Sequence, residues 1–205
     1  MEIHLVTNRH LCGEKRLLWV IEEALKGGVD VVQLREKDLL PRDLYVLAVQ
    51  VKALTDKYGK KLLINRSVEV ALAVDAHGVN LSFGSLPLPR VREILGTAKL
   101  AGVSIHSVAE GQEAEINGAD YCLAGHIFSS SCKPGQEARG LLFLRELKEA
   151  VSIPIIAIGG IDEKTIEAVA TLGIAGVAVM SRFFLADNPR AVAEKLKNSS
   201  FTKRD

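Results

Sequence analysis

Short aliphatic and β-branched runs alternate along the chain with longer amphipathic stretches, the pattern of parallel strands joined by helical crossovers. Eight such runs are of strand length: Ile3–Val6, Val29–Leu34, Leu62–Ile64, Gly78–Leu81, Leu100–Ser104, Tyr121–Ala124, Pro154–Ile158 and Gly176–Val179. Several intervening helices should close on glycine, at Gly27-Gly28, Gly59, Gly118 and Gly173, where a left-handed cap suits the residue. The crossovers Ser67–Val74, Pro87–Leu95 and Val108–Asn117 hold only two to three helical turns, so a small barrel is expected. No G-x-G-x-x-G follows the first run, which argues against an open doubly wound sheet. The reading is one (β/α)8 TIM barrel over 1–197, followed by a polar tail over 198–205, with no linker between domains.

Composition narrows the function classes. The 205 residues are 48% hydrophobic and 25% charged, enough for one core without staples. A formal charge of +1 and 5% aromatic content give no platform for nucleic acid, so an anion site must be local. No apolar run approaches the ~20 residues that span a bilayer. The three cysteines, Cys12, Cys122 and Cys132, lack metal-type spacing, and no leader-like segment is evident, so a cytoplasmic protein with reduced thiols is expected. Phe183, Phe184 and Leu185 read either as core or as a homodimer contact.

Barrel active sites lie at the C-terminal ends of the strands, which selects few polar residues. After strand two, a period of two puts Val31, Gln33 and Arg35 on one face, with Lys37 following. After strands seven and eight come Gly159-Gly160 and Met180-Ser181, whose backbone N–H groups suit a phosphate. By the same alternation His126 shares a face with Cys122 and Ala124 and points into the mouth, where it is the candidate acid–base group. His106 ends strand five, beside Ser107 as a helix cap, and so ranks lower. The loop 128–135 is long enough for a lid, with Lys133 able to close over an anion; Cys132 has no identifiable partner base.

Five ordered motifs resemble the thiamin phosphate synthase superfamily over nearly the whole chain: Val32-Gln33-Leu34-Arg35-Glu36-Lys37, Leu63-Ile64-Asn65, Gly102-Val103-Ser104-Ile105-His106-Ser107, Ala157-Ile158-Gly159-Gly160-Ile161 and Gly176-Val177-Ala178-Val179-Met180-Ser181. The resemblance implies that the first motif and the two late glycine-containing loops hold phosphate groups. It adds Asn65, Ser104 and His106 to the expected substrate contacts. The synthase of that family uses Mg²⁺ to help a pyrimidine pyrophosphate ionise, through an aspartate directly after the asparagine and an acidic residue soon after strand four. Here Arg66 stands at the first place, and Asn80-Leu81-Ser82-Phe83-Gly84-Ser85 has no carboxylate at the second. Neither a metal nor another cofactor is therefore expected.

Gly125-His126, Cys132-Lys133 and Glu137-Ala138-Arg139-Gly140 look like the TenI branch, thiazole tautomerase. That likeness implies isomerisation of a carboxythiazole phosphate to its aromatic tautomer, with His126 moving the proton and Arg35, Lys37 or Lys133 steadying the negative charge. The expected partner is this small phosphorylated thiazole. The alternatives are a thiamin phosphate synthase, which joins a pyrimidine pyrophosphate to thiazole phosphate, and a non-catalytic sensor of a thiazole or thiamin phosphate.

Overall fold

The computed structural model describes residues 1–82, 84–129, 135 and 137–200. Eight parallel strands close on themselves in chain order: β1 (Glu2–Val6), β2 (Val31–Leu34), β3 (Lys61–Asn65), β4 (Gly78–Leu81), β5 (Leu100–Ile105), β6 (Tyr121–Gly125), β7 (Ile155–Ile158) and β8 (Gly176–Val179). Registers such as Leu5 with Val32 and Ile3 with Val177 join β1 to both its neighbours. Around them lie α1 (Glu14–Lys26), α2 (Pro41–Lys57), α3 (Val68–Ala73), α4 (Leu88–Leu95), α5 (Val108–Ile116), α6 (Gly140–Ala150), α7 (Ile166–Ala170), α8 (Ser181–Phe184) and α9 (Pro189–Ser200). The expected (β/α)8 barrel is the observed one.

Differences at strand ends have local causes. Pro154 has no N–H to give the ladder, so β7 starts one residue later, while its carbonyl accepts the Cys122 N–H. The Val29 N–H closes α1 onto the Ala24 carbonyl, and β2 begins only at Val31. The expected caps Gly28, Gly59, Gly118 and Gly173 all have positive φ. At the C-terminus α9 runs through Ser200, so 198–200 of the expected polar tail are helical, and 201–205 lie outside the described residues.

Two apolar layers hold the barrel. One lies between sheet and helices and includes Phe183 and Phe184, both fully buried, whereas Leu185 is exposed. The other fills the barrel axis with Val6, Val31, Leu63, Tyr121, Leu123, Ile156 and Ala178. Burying one such aliphatic side chain stabilises the fold by about 1.5–3 kcal/mol. Tyr121 reaches across the axis because β5 carries glycine opposite it. A Cβ on Gly102 would stand 1.9 Å from the ring's Cζ. Its hydroxyl donates to Asn80 Oδ1 at 3.0 Å, and Asn80 Nδ2 donates to Ser104 Oγ at 2.9 Å, a network just beneath the open end.

The opposite end is tied by charge. Asp30 accepts the Ile3 N–H and the amines of Lys60 and Lys197. Burial raises its carboxyl, but those hydrogen bonds outweigh it and hold the group below its ordinary value. The hydrogen bond from His4, with help from Lys61 and against burial, lowers Glu2 to about 2.

Two outcomes are expected. Gly102→Ala should destabilise the fold by about 1–3 kcal/mol in denaturant titration, because the tyrosine cannot stay in place; an unchanged midpoint would show that the axis has slack. Glu2 and Asp30 are depressed in the folded state, so their stabilisation is complete above the unfolded carboxylate range, around pH 4, and is lost as pH falls towards about 2. The melting temperature should therefore drop as pH falls from about 4 towards 2, and by less in Asp30→Asn.

Candidate functional site

The C-terminal ends of the strands surround a cavity of about 450 Å³. Its wall after β2 carries Gln33 from the strand and Arg35 and Lys37 from the turn that follows, whereas Glu36 and Asp38 are not among the residues lining it. Thr7 pins this turn, giving its N–H to the Gln33 carbonyl at 3.0 Å and accepting the Arg35 N–H on Oγ1 at 2.8 Å. Arg9, 8% exposed, gathers both carboxylates from behind. Its backbone N–H lies 3.1 Å from each Glu36 oxygen, and Nη1 lies 3.2 Å from Oε2 and 2.7 Å from Asp38 Oδ1. The hydrogen bonds from Arg9 hold Asp38 far below the usual carboxylate range. Gln33, 3% exposed, leaves its buried Nε2 without a hydrogen-bond partner among the described residues.

The next wall comes from β3 and β4. Asn65 and Arg66 line the cavity, with the Asn65 amide 3.4 Å from the Asn80 carbonyl. Arg66 adopts φ 69°, a left-handed conformation uncommon outside glycine and asparagine, and its N–H donates to the Asn80 carbonyl at 3.0 Å. Its guanidinium Nη2 reaches the Gly84 carbonyl at 3.0 Å. Ser104 and His106 follow from β5. Ser107 caps α5 as expected, accepting the Glu110 N–H, while Glu110 Oε2 takes the His106 N–H at 2.7 Å and lies 3.6 Å from its Nδ1. His106 thus lines the mouth and is braced at the same time.

His126 is buried and lines the cavity, but not by the expected alternation. Cys122 and Ala124 belong to the outer layer, and Tyr121 and Leu123 face the axis. The strand ends at Gly125, after which the period of two no longer applies, and His126 enters the cavity from the following loop. The buried Cys122 thiol is pushed up to about 11 by desolvation, with Glu115 adding to the rise, which leaves it unreactive near neutral pH.

The remaining wall is β7 and β8, with Gly159, Gly160, Ile161, Met180 and Ser181 at its rim. Glycine at 160 is required by the protein itself, since a Cβ there would lie 2.6 Å from the Ser129 carbonyl. Among the described residues the N–H groups of Gly160 and Ile161 have no protein acceptor. Eleven expected positions, Gln33, Arg35, Lys37, Asn65, Ser104, His106, His126, Gly159, Gly160, Met180 and Ser181, thus share one cavity. Lys133 and Cys132 lie outside the described residues. Sequence reasoning passed over Arg66 as a contact, although its place after Asn65 at a strand end was a usable signal. Arg9 was missed too, because its value depends on carboxylates far along the chain.

A family model described as thiamine monophosphate synthase matches residues 3–183. Thiamine-phosphate synthase of Clostridium acetobutylicum is 40% identical over 203 residues, 97% of this chain and 96% of its own. That of Desulfitobacterium hafniense strain Y51 is 44% identical over 195 residues, 95% and 94% of the two chains. The solved thiamine phosphate pyrophosphorylase of Pyrococcus furiosus superposes with a TM-score of 0.89 at 34% identity, covering 97% of this chain and 95% of that one. These relatives overturn the expected tautomerase: full-length similarity at this level goes with the synthase name, whereas the expectation rested on three short motifs and on the absence of two carboxylates.

Gln33→Leu should leave thermal stability equal or higher, since it removes a buried donor without a partner. Affinity for inorganic pyrophosphate, measured by calorimetry, should fall roughly tenfold or more, the worth of one hydrogen bond to a charged group. Unchanged affinity would show that Gln33 does not touch the anion.

Proposed function

We propose that this chain, which belongs to the thiamine monophosphate synthase family, is a thiamine-phosphate synthase, a transferase that joins a pyrimidine pyrophosphate to a thiazole phosphate. The observation that carries this reading is a pair of anion-receptive walls on opposite sides of one mouth. In the closed strand order, β2 and β3 stand across the barrel from β6 and β7. On the first side are Gln33, Arg35, Lys37 and Arg66; on the other are the backbone donors of Gly160 and Ile161, continued by Ser181. Two anionic reactants need two such walls.

We assign the pyrophosphate to the cationic wall and the thiazole phosphate to the glycine wall, with Met180 and Ser181 at its edge and Gly159 shaping the turn. The cavity between them then holds the two rings. In the transfer, the thiazole nitrogen lone pair forms the new C–N bond, and the C–O bond to pyrophosphate breaks with its electrons leaving on oxygen. Positive charge around that oxygen stabilises the leaving group as it separates, in a cavity where burial strengthens each interaction. No proton has to be removed from either ring. His126 accordingly contacts the reacting pair and shapes the cavity, and Ser104, Asn65 and His106 hold the pyrimidine side. Water is kept from the reacting carbon by the apolar neighbours Leu123, Ile158 and Ile161.

Given both substrates, the protein should form thiamine phosphate and pyrophosphate in equal amounts, read by chromatography, and neither product with one substrate omitted. No thiamine phosphate from the folded protein would overturn the assignment. His126→Asn should lower kcat by less than tenfold and raise KM, whereas loss of a general acid–base group typically costs about 10²–10⁴-fold.

A further inference from the structure

We infer that Arg66 stands where a divalent cation would be needed, so that this site binds and releases pyrophosphate without a metal. The inference rests on the synthase reading for the identity of the anion. Magnesium is held by hard oxygens, carboxylates first, in an octahedral shell. None of the described side chains lining the cavity is a carboxylate, and among the described residues no group of three His, Cys, Asp or Glu side chains is placed to hold a metal. Residues 83, 130–134 and 136 add no aspartate or glutamate in sequence. Glu36 and Asp38, the nearest acids in the chain to the cationic wall, are both engaged by Arg9. Asn80 Oδ1 accepts the Tyr121 hydroxyl, and the Gly84 carbonyl accepts Arg66. Magnesium does not fit this donor set.

What the wall offers instead is donors. Gln33 Nε2 is buried and has no partner among the described residues, and an anion supplies the acceptor it lacks. Arg66 is built into its place: its backbone N–H is bound by Asn80, its guanidinium crosses to the loop after β4, and that loop is shaped to receive it. Gly84 has φ 81°, and a Cβ there would lie 2.8 Å from Arg66 Nη2. Arg66 is exposed and lines the cavity. A guanidinium stays charged at any working pH and presents its donors in a fork that matches phosphate oxygens. With Arg35 and Lys37 beside it, the wall carries three cations and no anion.

The test is calorimetric binding of inorganic pyrophosphate to the wild type, Arg66→Asn and Arg66→Lys, each in chelator and in millimolar magnesium. Asparagine tolerates the left-handed backbone and removes the charge, and equal melting temperatures verify the fold. The wild type should bind at least as tightly in chelator as in magnesium. Arg66→Asn should bind about ten- to a hundredfold more weakly, and Arg66→Lys should recover only part of the loss. A tenfold gain for the wild type on adding magnesium, or wild-type affinity in Arg66→Asn, would overturn the inference. Thiamine phosphate formation is followed in parallel in chelator. Product that appears only with magnesium overturns the inference and spares the synthase reading. Metal-free pyrophosphate binding with no product in either buffer overturns the synthase reading and supports the inference.

Discussion

The charge that the wall after β2 shows to the cavity depends on Arg9. A buried guanidinium is tolerated only when it is paired, and here it pairs twice, with Glu36 through both backbone and side chain and with Asp38 through its two terminal nitrogens. Four charged residues in a row, Arg35-Glu36-Lys37-Asp38, would otherwise nearly cancel. Arg9 holds the two acids on the far side of the turn, so that the turn presents only its cations to the cavity. A buried Glu36 left without it would cost about 3–5 kcal/mol, and the turn would have to rearrange to hydrate the carboxylate. The sign of the site is therefore decided outside it.

The barrel supplies the rest by position. Parallel strands bring all eight carboxyl ends to one face, so residues from every third of the chain converge without long loops. Beneath them the Tyr121, Asn80 and Ser104 network makes a polar floor over an apolar axis, and it uses the Asn80 side chain fully. The loop after β4 is then free to serve Arg66 rather than a metal, and the floor gives both walls a fixed base.

The fold was legible because eight apolar runs of strand length, separated by glycine-capped helices, admit few other arrangements. Most of the cavity was legible for the same reason, since polar residues just beyond a strand in a barrel have one place to go. His126 was placed correctly by a wrong route: counting alternation through Cys122 and Ala124 fails where β6 stops at Gly125. Gly160 was read only for its backbone N–H, whereas glycine is needed there because the Ser129 carbonyl already occupies the space a side chain would take. Arg66 was seen as hostile to magnesium but not as a contact, because its left-handed backbone and its bond to Gly84 join two loops that the linear order keeps apart. The branch of the family was misread because three short motifs and two missing carboxylates are local signals, whereas the synthase relatives are similar along nearly the entire chain.

The filled axis has a kinetic consequence. Tyr121, Leu123 and Ile156 fill the barrel axis below the cavity, so among the described residues no passage runs through the barrel, and on the proposed synthase reading two reactants and two products would share its open end. On the proposed reading, the plug of side chains at the bottom makes arrival and departure compete for the same opening, without any moving part.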